Sequence, residues 1–273
     1  MKIAINKLHP FYNHPFKVID NAEMDDLVLS IKEQGILTPI IVRPLENTSD
    51  EFEIISGHRR YRAAQLLGKK EIEVSVRYVN RDEAAVMLVD SNLHRSRIVP
   101  SEKAFAYKMK LEAISHQGKA CGQVVHKSRD TVSNTDSGRQ VQRYIRLTKL
   151  IPQLLKMVDE ERIAFSVGVE LSYLDEYEQQ DLLEAIELED KTPSLSQAIQ
   201  MKKLSQSGIL DSKIIERIIS EDKPNQREKI SFQYDELSKY FPKCSPQEVQ
   251  RRMMKLAQAD YQRRVRNRNR EAR

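Results

Sequence analysis

Ser56-Gly57-His58-Arg59-Arg60-Tyr61-Arg62 is the stretch whose reading decides how the rest of this chain is organised. It follows an apolar, strand-like run from Phe52 to Ile55 and opens a helical run that ends at Leu66-Leu67-Gly68. A strand therefore passes through a small residue and a glycine into a helix with two arginines in its first turn. A helix N-terminus carries unpaired backbone N–H groups and a partial positive charge, so it favours anions. Three arginines, Arg59, Arg60 and Arg62, beside that dipole require a counter-ion. Two sources are open: a bound nucleotide phosphate, or nearby Glu and Asp on a solvated basic face.

Around this stretch, residues 1 to about 95 read as mixed α/β. His14 to Ile19 is a short extended piece. Met24, Leu27, Val28 and Ile31 recur at helical spacing, and Gly35 closes that helix. Thr38 to Pro44 is a β-branched strand with proline near each end. Glu71 to Val79 alternates Ile72, Val74, Val76 and Tyr78 on one face, as a half-buried strand does. Arg81 to Leu93 is helical. Beyond Pro100-Ser101-Glu102 the strand signal fades. Ser101 caps a helix with Phe105, Met109 and Ala113 on its inner face.

Gly118 to Asp136 is polar, with only Val124 and Val125 as core candidates for a helix there. Ser137 then caps a helix over 138–147, and further helices run from Pro152, over 166–174 and 177–188, up to Leu204, and over 209–219. Phe232, Tyr234, Leu237 and Tyr240 form a small apolar set before a long helix from Pro246. The predicted class is α+β. A small mixed α/β domain spans 1–97, an all-helical domain 98–205, a helix and linker 206–230, and a basic helical segment 231–273.

Composition sets outer limits. Of 273 residues, 31% are charged and 40% apolar, which suits a soluble helical protein. No apolar run approaches the ~20 residues of a membrane helix, so no membrane partner is expected. The first residues are too polar for a signal peptide. Cys121 and Cys244 have no metal-ligand spacing, and a reduced cytosolic protein is the simplest account. The net charge of +5 is unevenly placed, because Pro246 to Arg273 holds nine Lys or Arg against three Asp or Glu. That imbalance points to a polyanionic partner, with Tyr261 and the interleaved asparagines suited to phosphate contact that weakens with salt.

The helix 138–147 is the second strong signal. Val141, Tyr144 and Ile145 make its apolar face, while Arg139, Gln140, Gln142, Arg143 and Arg146 lie outward with no acidic residue from 137 to 147. Arg and Gln on a short helix make bidentate contacts to guanine and adenine edges in the major groove of double-stranded DNA. The competing account is an ordinary amphipathic helix with a polar face.

Three ordered motifs carry a resemblance. They are Gly35-Ile36-Leu37-Thr38-Pro39-Ile40-Ile41-Val42-Arg43-Pro44, then Ser56-Gly57-His58-Arg59-Arg60-Tyr61-Arg62-Ala63-Ala64, then Asn92-Leu93-His94-Arg95 followed by Pro100-Ser101-Glu102. Across roughly residues 5 to 200 the chain resembles the ParB partition-protein family, whose helix-turn-helix the 138–147 helix would complete. The resemblance implies an N-terminal domain that binds CTP with Mg2+ and closes as a clamp on DNA. In that domain Gly57, Arg59 and Arg60, with His58 between them, would lie on the triphosphate. Thr38, Pro39 and Arg43 would shape the base and sugar pocket. Ser91, Asn92 and Arg95 would lie near the metal, with Asn92 its candidate contact. It also implies a homodimer, a ParA-like ATPase as partner, and a place in the cytoplasm on the nucleoid.

Two departures bear on chemistry. The family's second motif usually reads Gly-Glu-Arg-Arg and its third Glu-Asn, whereas His58 and Ser91 stand where those carboxylates would be. A carboxylate near phosphates holds a metal or orients a water, so weak hydrolysis at most is expected and no catalytic residue is assigned. Sulfiredoxin shares the fold, but its reactive cysteine has no counterpart in 56–59. The expected function is site-specific DNA binding in the segregation or maintenance of a plasmid, chromosome or mobile element, switched by CTP. The alternatives are a nucleotide-hydrolysing or kinase-type enzyme, and a transcription regulator or nucleoid-occlusion factor.

Overall fold

The computed structural model describes residues 1–273 except 47, 49, 96, 121–131, 134, 135, 222–239, 242, 243, 272 and 273. They divide into two units, Met1–Glu221 and Asp222–Arg273. The first opens with β1 (Lys2–Ala4), a 3-10 turn (Ile5–Lys7) and β2 (Leu8–Pro10). Then come α1 (Ala22–Gln34), β3 (Ile40–Pro44), β4 (Phe52–Ser56), α2 (His58–Leu66), β5 (Glu71–Val76) and α3 (Arg81–Leu93).

The strands form one sheet in the order β1-β5-β3-β4-β2. β4 pairs antiparallel with β3 and parallel with β2. Successive strand side chains point to opposite faces, and in β4 both Ile54 and Ile55 are fully buried. Ile54 joins Ile40, Val42, Val74, Tyr61 and Ala64 between the sheet and α2. Ile55 joins Phe11, Phe16, Leu88 and Val89 on the side of α3. A strand buried on both faces reads as an apolar run rather than an alternation, and Phe52 to Ile55 reads so apart from Glu53.

The helical part runs α4 (Pro100–Ala120), α5 (Gly138–Leu147), α6 (Pro152–Asp159), α7 (Phe165–Leu171), α8 (Glu176–Glu189), α9 (Leu195–Gln206) and α10 (Ser212–Ser220). Leu147, Leu154, Leu171, Leu182, Met201 and Ile218 are among the residues of its core. In the second unit, α11 (Pro246–Glu271) begins behind Ser245, whose N–H and hydroxyl exchange hydrogen bonds with Glu248 in a reciprocal cap. Val249 of α11 is buried, while Met254, Leu256 and Tyr261 are exposed. Val124, Val125, Phe232, Tyr234 and Leu237 lie outside the described residues.

The α+β class expected from the sequence is the class observed, but details differ. The edge strands lie at Lys2–Ala4 and Leu8–Pro10, and His14 to Ile19 is not a strand. Three-residue edge strands, one ending in proline, are too short to show a period. β5 ends at Val76, and Tyr78 is 88% exposed. On α4, Ala113 is buried and Met109 packs inward as expected, but Phe105 is 43% exposed, and Ala104, Ala106 and Tyr107 are fully buried. Packing from more than one side makes the buried arc wider than a single stripe at helical spacing.

α7 approaches α6 closely. A Cβ on Gly168 would lie 2.8 Å from Val158 Cγ2 and 3.3 Å from Leu147 Cδ2. Overpacking of this kind costs about 1–3 kcal/mol. Gly168→Ala is therefore expected to lower the stability of the first unit by that amount, read as a lower urea midpoint by circular dichroism. An unchanged midpoint would mean that α7 backs away freely.

Candidate functional site

The turn from β4 into α2 rests on Gly57, whose φ is +104°. A side chain there would be strained, and its Cβ would meet Arg60 Nη2 and Ile40 Cγ1 at 3.1 Å. The first turn of α2 has no acidic residue and no side-chain cap. Its backbone N–H groups are therefore left to solvent or a ligand.

The three arginines find different partners. Arg59 Nη1 lies 3.3 Å from Glu23 Oε2 in the first turn of α1. Arg62 Nη2 lies 2.6 Å from Asp20 Oδ2, and the hydrogen bond from Arg62 holds the Asp20 carboxyl below its usual range. Arg60 turns its guanidinium back onto the carbonyls of Thr38 and Pro39, the latter at 3.2 Å. Thr38 and Pro39 thus meet the 56–62 stretch through Arg60, and burial draws the Arg60 pKa down.

His58 points into the fold. Its Nε2 accepts the Phe11 N–H at 3.3 Å, and its ring centroid lies 3.8 Å from that of His14. His14 Nδ1 donates to the Phe16 carbonyl at 2.5 Å. Burial, the His14 ring and the Arg95 charge lower the His58 pKa to about 3. Burial lowers that of His14 to about 4, with the Phe16 hydrogen bond opposing and Arg95 assisting. Both rings are neutral at physiological pH, so the motif gains no cation from them.

Arg43 is committed elsewhere. On β3 it faces Glu53 of β4 across the ladder, with Nε 2.8 Å from Glu53 Oε2 and both side chains 5% exposed. Glu53 Oε1 accepts the Tyr12 N–H at 3.0 Å. Glu53 went unread in the sequence, since a lone acid inside an apolar run gives no sign of its partner. Asn92 is buried, its amide nitrogen donating to the Leu88 carbonyl at 2.7 Å and to Ser91 Oγ at 3.2 Å. Asp90, two residues earlier, pairs with Lys110 of α4 at 2.5 Å.

Arg95 completes the group. Its guanidinium stacks 5.5 Å over Phe16. Burial lowers its pKa, Glu102 opposes the shift and Arg59 adds to it. That repulsion shows that the end of α3 and the start of α2 converge. Arg59 and Arg95 are therefore close enough to repel, with Glu23 paired to Arg59 and Glu102 acting on Arg95. Glu102 belongs to the third motif, whereas Glu23 gives no sign in the sequence of its pairing with a distant helix. Among the described residues no group of three His, Cys, Asp or Glu side chains is placed to hold a metal ion. A separate cleft of ≈ 880 Å³ lies between the 11–17 segment, α3 and α4, and of the predicted ligand residues none lines it.

On α5, Ser137 caps the helix by accepting the Gln140 N–H, and Arg139 and Gln142 are exposed. Arg143 lies 5.0 Å over the Phe165 ring, with Nη1 3.3 Å from Gln140 Oε1. Arg146 turns away from the other four. It donates to Ser172 Oγ at 3.1 Å and the Ser172 carbonyl at 2.7 Å, and stacks 4.0 Å over Tyr173. No described helix is long and apolar enough to cross a membrane.

The model of the ParB N-terminal domain matches residues 1–93. A nucleoid occlusion protein of Geobacillus sp. (strain WCH70) is 36% identical over 133 residues, covering 49% of this chain and 47% of that protein. The chromosome-partitioning protein ParB of Caulobacter vibrioides (strain NA1000 / CB15N) is 35% identical over 125 residues, covering 45% and 40%. This chain spans about half the length of the curated relatives it matches. Among solved structures, the C-terminally truncated Caulobacter crescentus ParB complexed to the centromeric parS site matches with a TM-score of 0.42 and 20% identity, over 80% of this chain and 98% of that one.

The histidine pair makes stability depend on pH. Both folded-state pKa values lie below the unfolded value of 6.5. The pair's contribution is therefore fully present above 6.5 and is lost as pH falls toward about 4, because only the unfolded chain takes up protons in that window. The urea midpoint should fall from pH 7 to pH 5, and His14→Gln should flatten that slope. Parallel slopes in both proteins would refute the assignment.

Proposed function

We propose, on the match of residues 1–93 to the ParB N-terminal domain, that the protein is a site-specific DNA-binding protein of the ParB type. It acts in the segregation or maintenance of a plasmid, chromosome or mobile element, and CTP switches it. The observation that carries the reading is the uncapped, acid-free start of α2, with Arg59 and Arg60 in its first turn and Arg95 close enough to repel Arg59. That locus fits a polyphosphate, since helix N–H groups and guanidinium forks both donate to phosphate oxygens. Gly57 keeps the backbone open for close approach, and the Thr38 and Pro39 segment borders the site through Arg60.

CTP would enter with Mg2+. The nucleotide supplies a switch by binding in one state of the protein more tightly than in another. The protein offers the metal little. Asn92 would offer it only Oδ1, since an amide nitrogen donates hydrogen bonds and does not coordinate metal. The phosphates would then hold the ion. With histidine at 58 and serine at 91, hydrolysis is weak at most. Arg139, Gln140, Gln142 and Arg143 of α5 read the bases, and Arg146 supports the helix from behind. The basic α11 adds sequence-blind phosphate contact, and the working form is a homodimer on the nucleoid in the cytoplasm, with a ParA-like ATPase as partner.

A second reading is favoured by the 36% identical nucleoid occlusion protein. It keeps the same DNA chemistry and changes the task. Loss of the replicon from a deletion strain supports segregation, and septa forming over DNA support occlusion.

Calorimetry with CTP and Mg2+ tests the switch. Arg59→Ala should weaken binding roughly ten-fold or more, as loss of a charged hydrogen bond does. Absence of CTP binding by the wild type would sink this part of the reading. A gel shift with genomic fragments tests the rest: Arg143→Ala should abolish selection of a site that the wild type selects. Equal, sequence-blind binding by both would refute site-specific reading.

A further inference from the structure

Asp136 stands one residue before the N-cap of α5, and α4 grips it with two side chains. Lys103 Nζ lies 2.6 Å from Asp136 Oδ2. The Tyr107 hydroxyl donates to the same oxygen at 2.5 Å. Ser133 Oγ lies 3.1 Å from that hydroxyl and accepts the Asp136 N–H at 3.0 Å. Burial alone would raise the Asp136 carboxyl, but the hydrogen bonds from Lys103 and Tyr107 outweigh it and hold the carboxyl below its usual range.

The same two α4 residues also hold the inner face of α5. Tyr107 is fully buried, and its ring meets that of Tyr144 edge-on at 5.8 Å. The Lys103 ammonium lies 4.7 Å from the Tyr144 centroid. Tyr144 in turn packs at 4.7 Å against Phe165, the ring over which Arg143 lies. An unbroken chain of contacts thus joins α4 to a base-reading arginine.

Apolar burial is non-directional. Val141 and Tyr144 set how close α5 lies to α4, but they fix neither its height nor its rotation. Hydrogen bonds depend on angle as well as distance, and here they converge on the residue that leads into the helix. Reading bases requires the first turns of such a helix to be held within about 0.5 Å and 10–20°.

We propose that Lys103 and Tyr107 are positioning residues for DNA reading, holding α5 through Asp136 and aiming Arg143 through Tyr144 and Phe165. This role rests on α5 being the helix that reads DNA. It predicts a loss of selectivity rather than a loss of folding when the polar grip is removed.

The full-length chain is first used to enrich a duplex from a random-sequence library. That duplex and a scrambled one of equal length are the probes. Tyr107→Phe keeps the ring and removes the hydroxyl. It is expected to lower affinity for the enriched duplex roughly ten-fold, about the value of one well-placed base contact. Scrambled-duplex affinity, its salt dependence and the thermal midpoint should stay close to wild type. Asp136→Asn should act in the same direction, and Lys103→Arg should preserve selectivity. An unchanged ratio in both Tyr107→Phe and Asp136→Asn, or a fall in both affinities together, overturns the positioning role while leaving DNA reading intact. A wild type that enriches no sequence overturns the reading of α5, and this role with it.

Discussion

One helix, α4, has to satisfy three apolar clusters at once, and the rest of the first unit depends on how it does so. Ala104 belongs to the core of the later helices, Ala106 and Ala113 to the cluster behind the sheet, and Tyr107 to the cluster under α5. Alanines permit close approach on two of these sides, and Tyr107 fills the third. Each side also carries a polar bond that fixes register. Lys110 bonds to Asp90 of α3, the Ser101 hydroxyl donates to Asp159 of α6 at 2.5 Å, and Lys103 pairs with Asp136 ahead of α5. Burial supplies the energy of this packing, and the charged bonds set its geometry.

The arginines of the N-terminal domain divide along a related line. Arg43 and Glu53 are both buried, and removing one would leave an uncompensated charge, so that pair is structural. Arg59 with Glu23 and Arg62 with Asp20 are solvent-exposed pairs of the kind that contribute little and exchange readily. A multivalent anion at the start of α2 competes well for such guanidiniums, because the helix N–H groups add to its binding. Arg60 stands between these cases. It is half-buried on backbone carbonyls, which orient it without neutralising it. His58 and His14 fill the space behind the motif as neutral rings, so the positive charge of the locus comes from arginine alone.

Much of this was legible in the sequence. The apolar run before Gly57, the glycine itself and the arginines after it read as a strand passing through a glycine into an arginine-headed helix. The helical spacing of Met24, Val28 and Ile31 marked a helix that lies where expected. The acid-free face of α5 was equally plain. The edge strands at Lys2 and Leu8 were not, because a pair of three-residue segments acquires strand character only by bonding to β5 and β4. Phe105 was expected inside and Tyr107 went unread, since a helix held from several sides has no single apolar stripe.

The sequence by itself determined which segments become strand or helix and where positive charge is concentrated, because those properties depend on neighbours within a few positions. Tertiary structure alone decided which charges remain available. Arg43 was as good a ligand candidate as Arg59 until the β3–β4 register set it against Glu53, ten residues away. Arg146 matched Arg143 until the turn after α7 offered it Ser172 and Tyr173. Ion pairs and hydrogen bonds act only over a few ångströms, and chain neighbours do not reveal which distant residues will come that close.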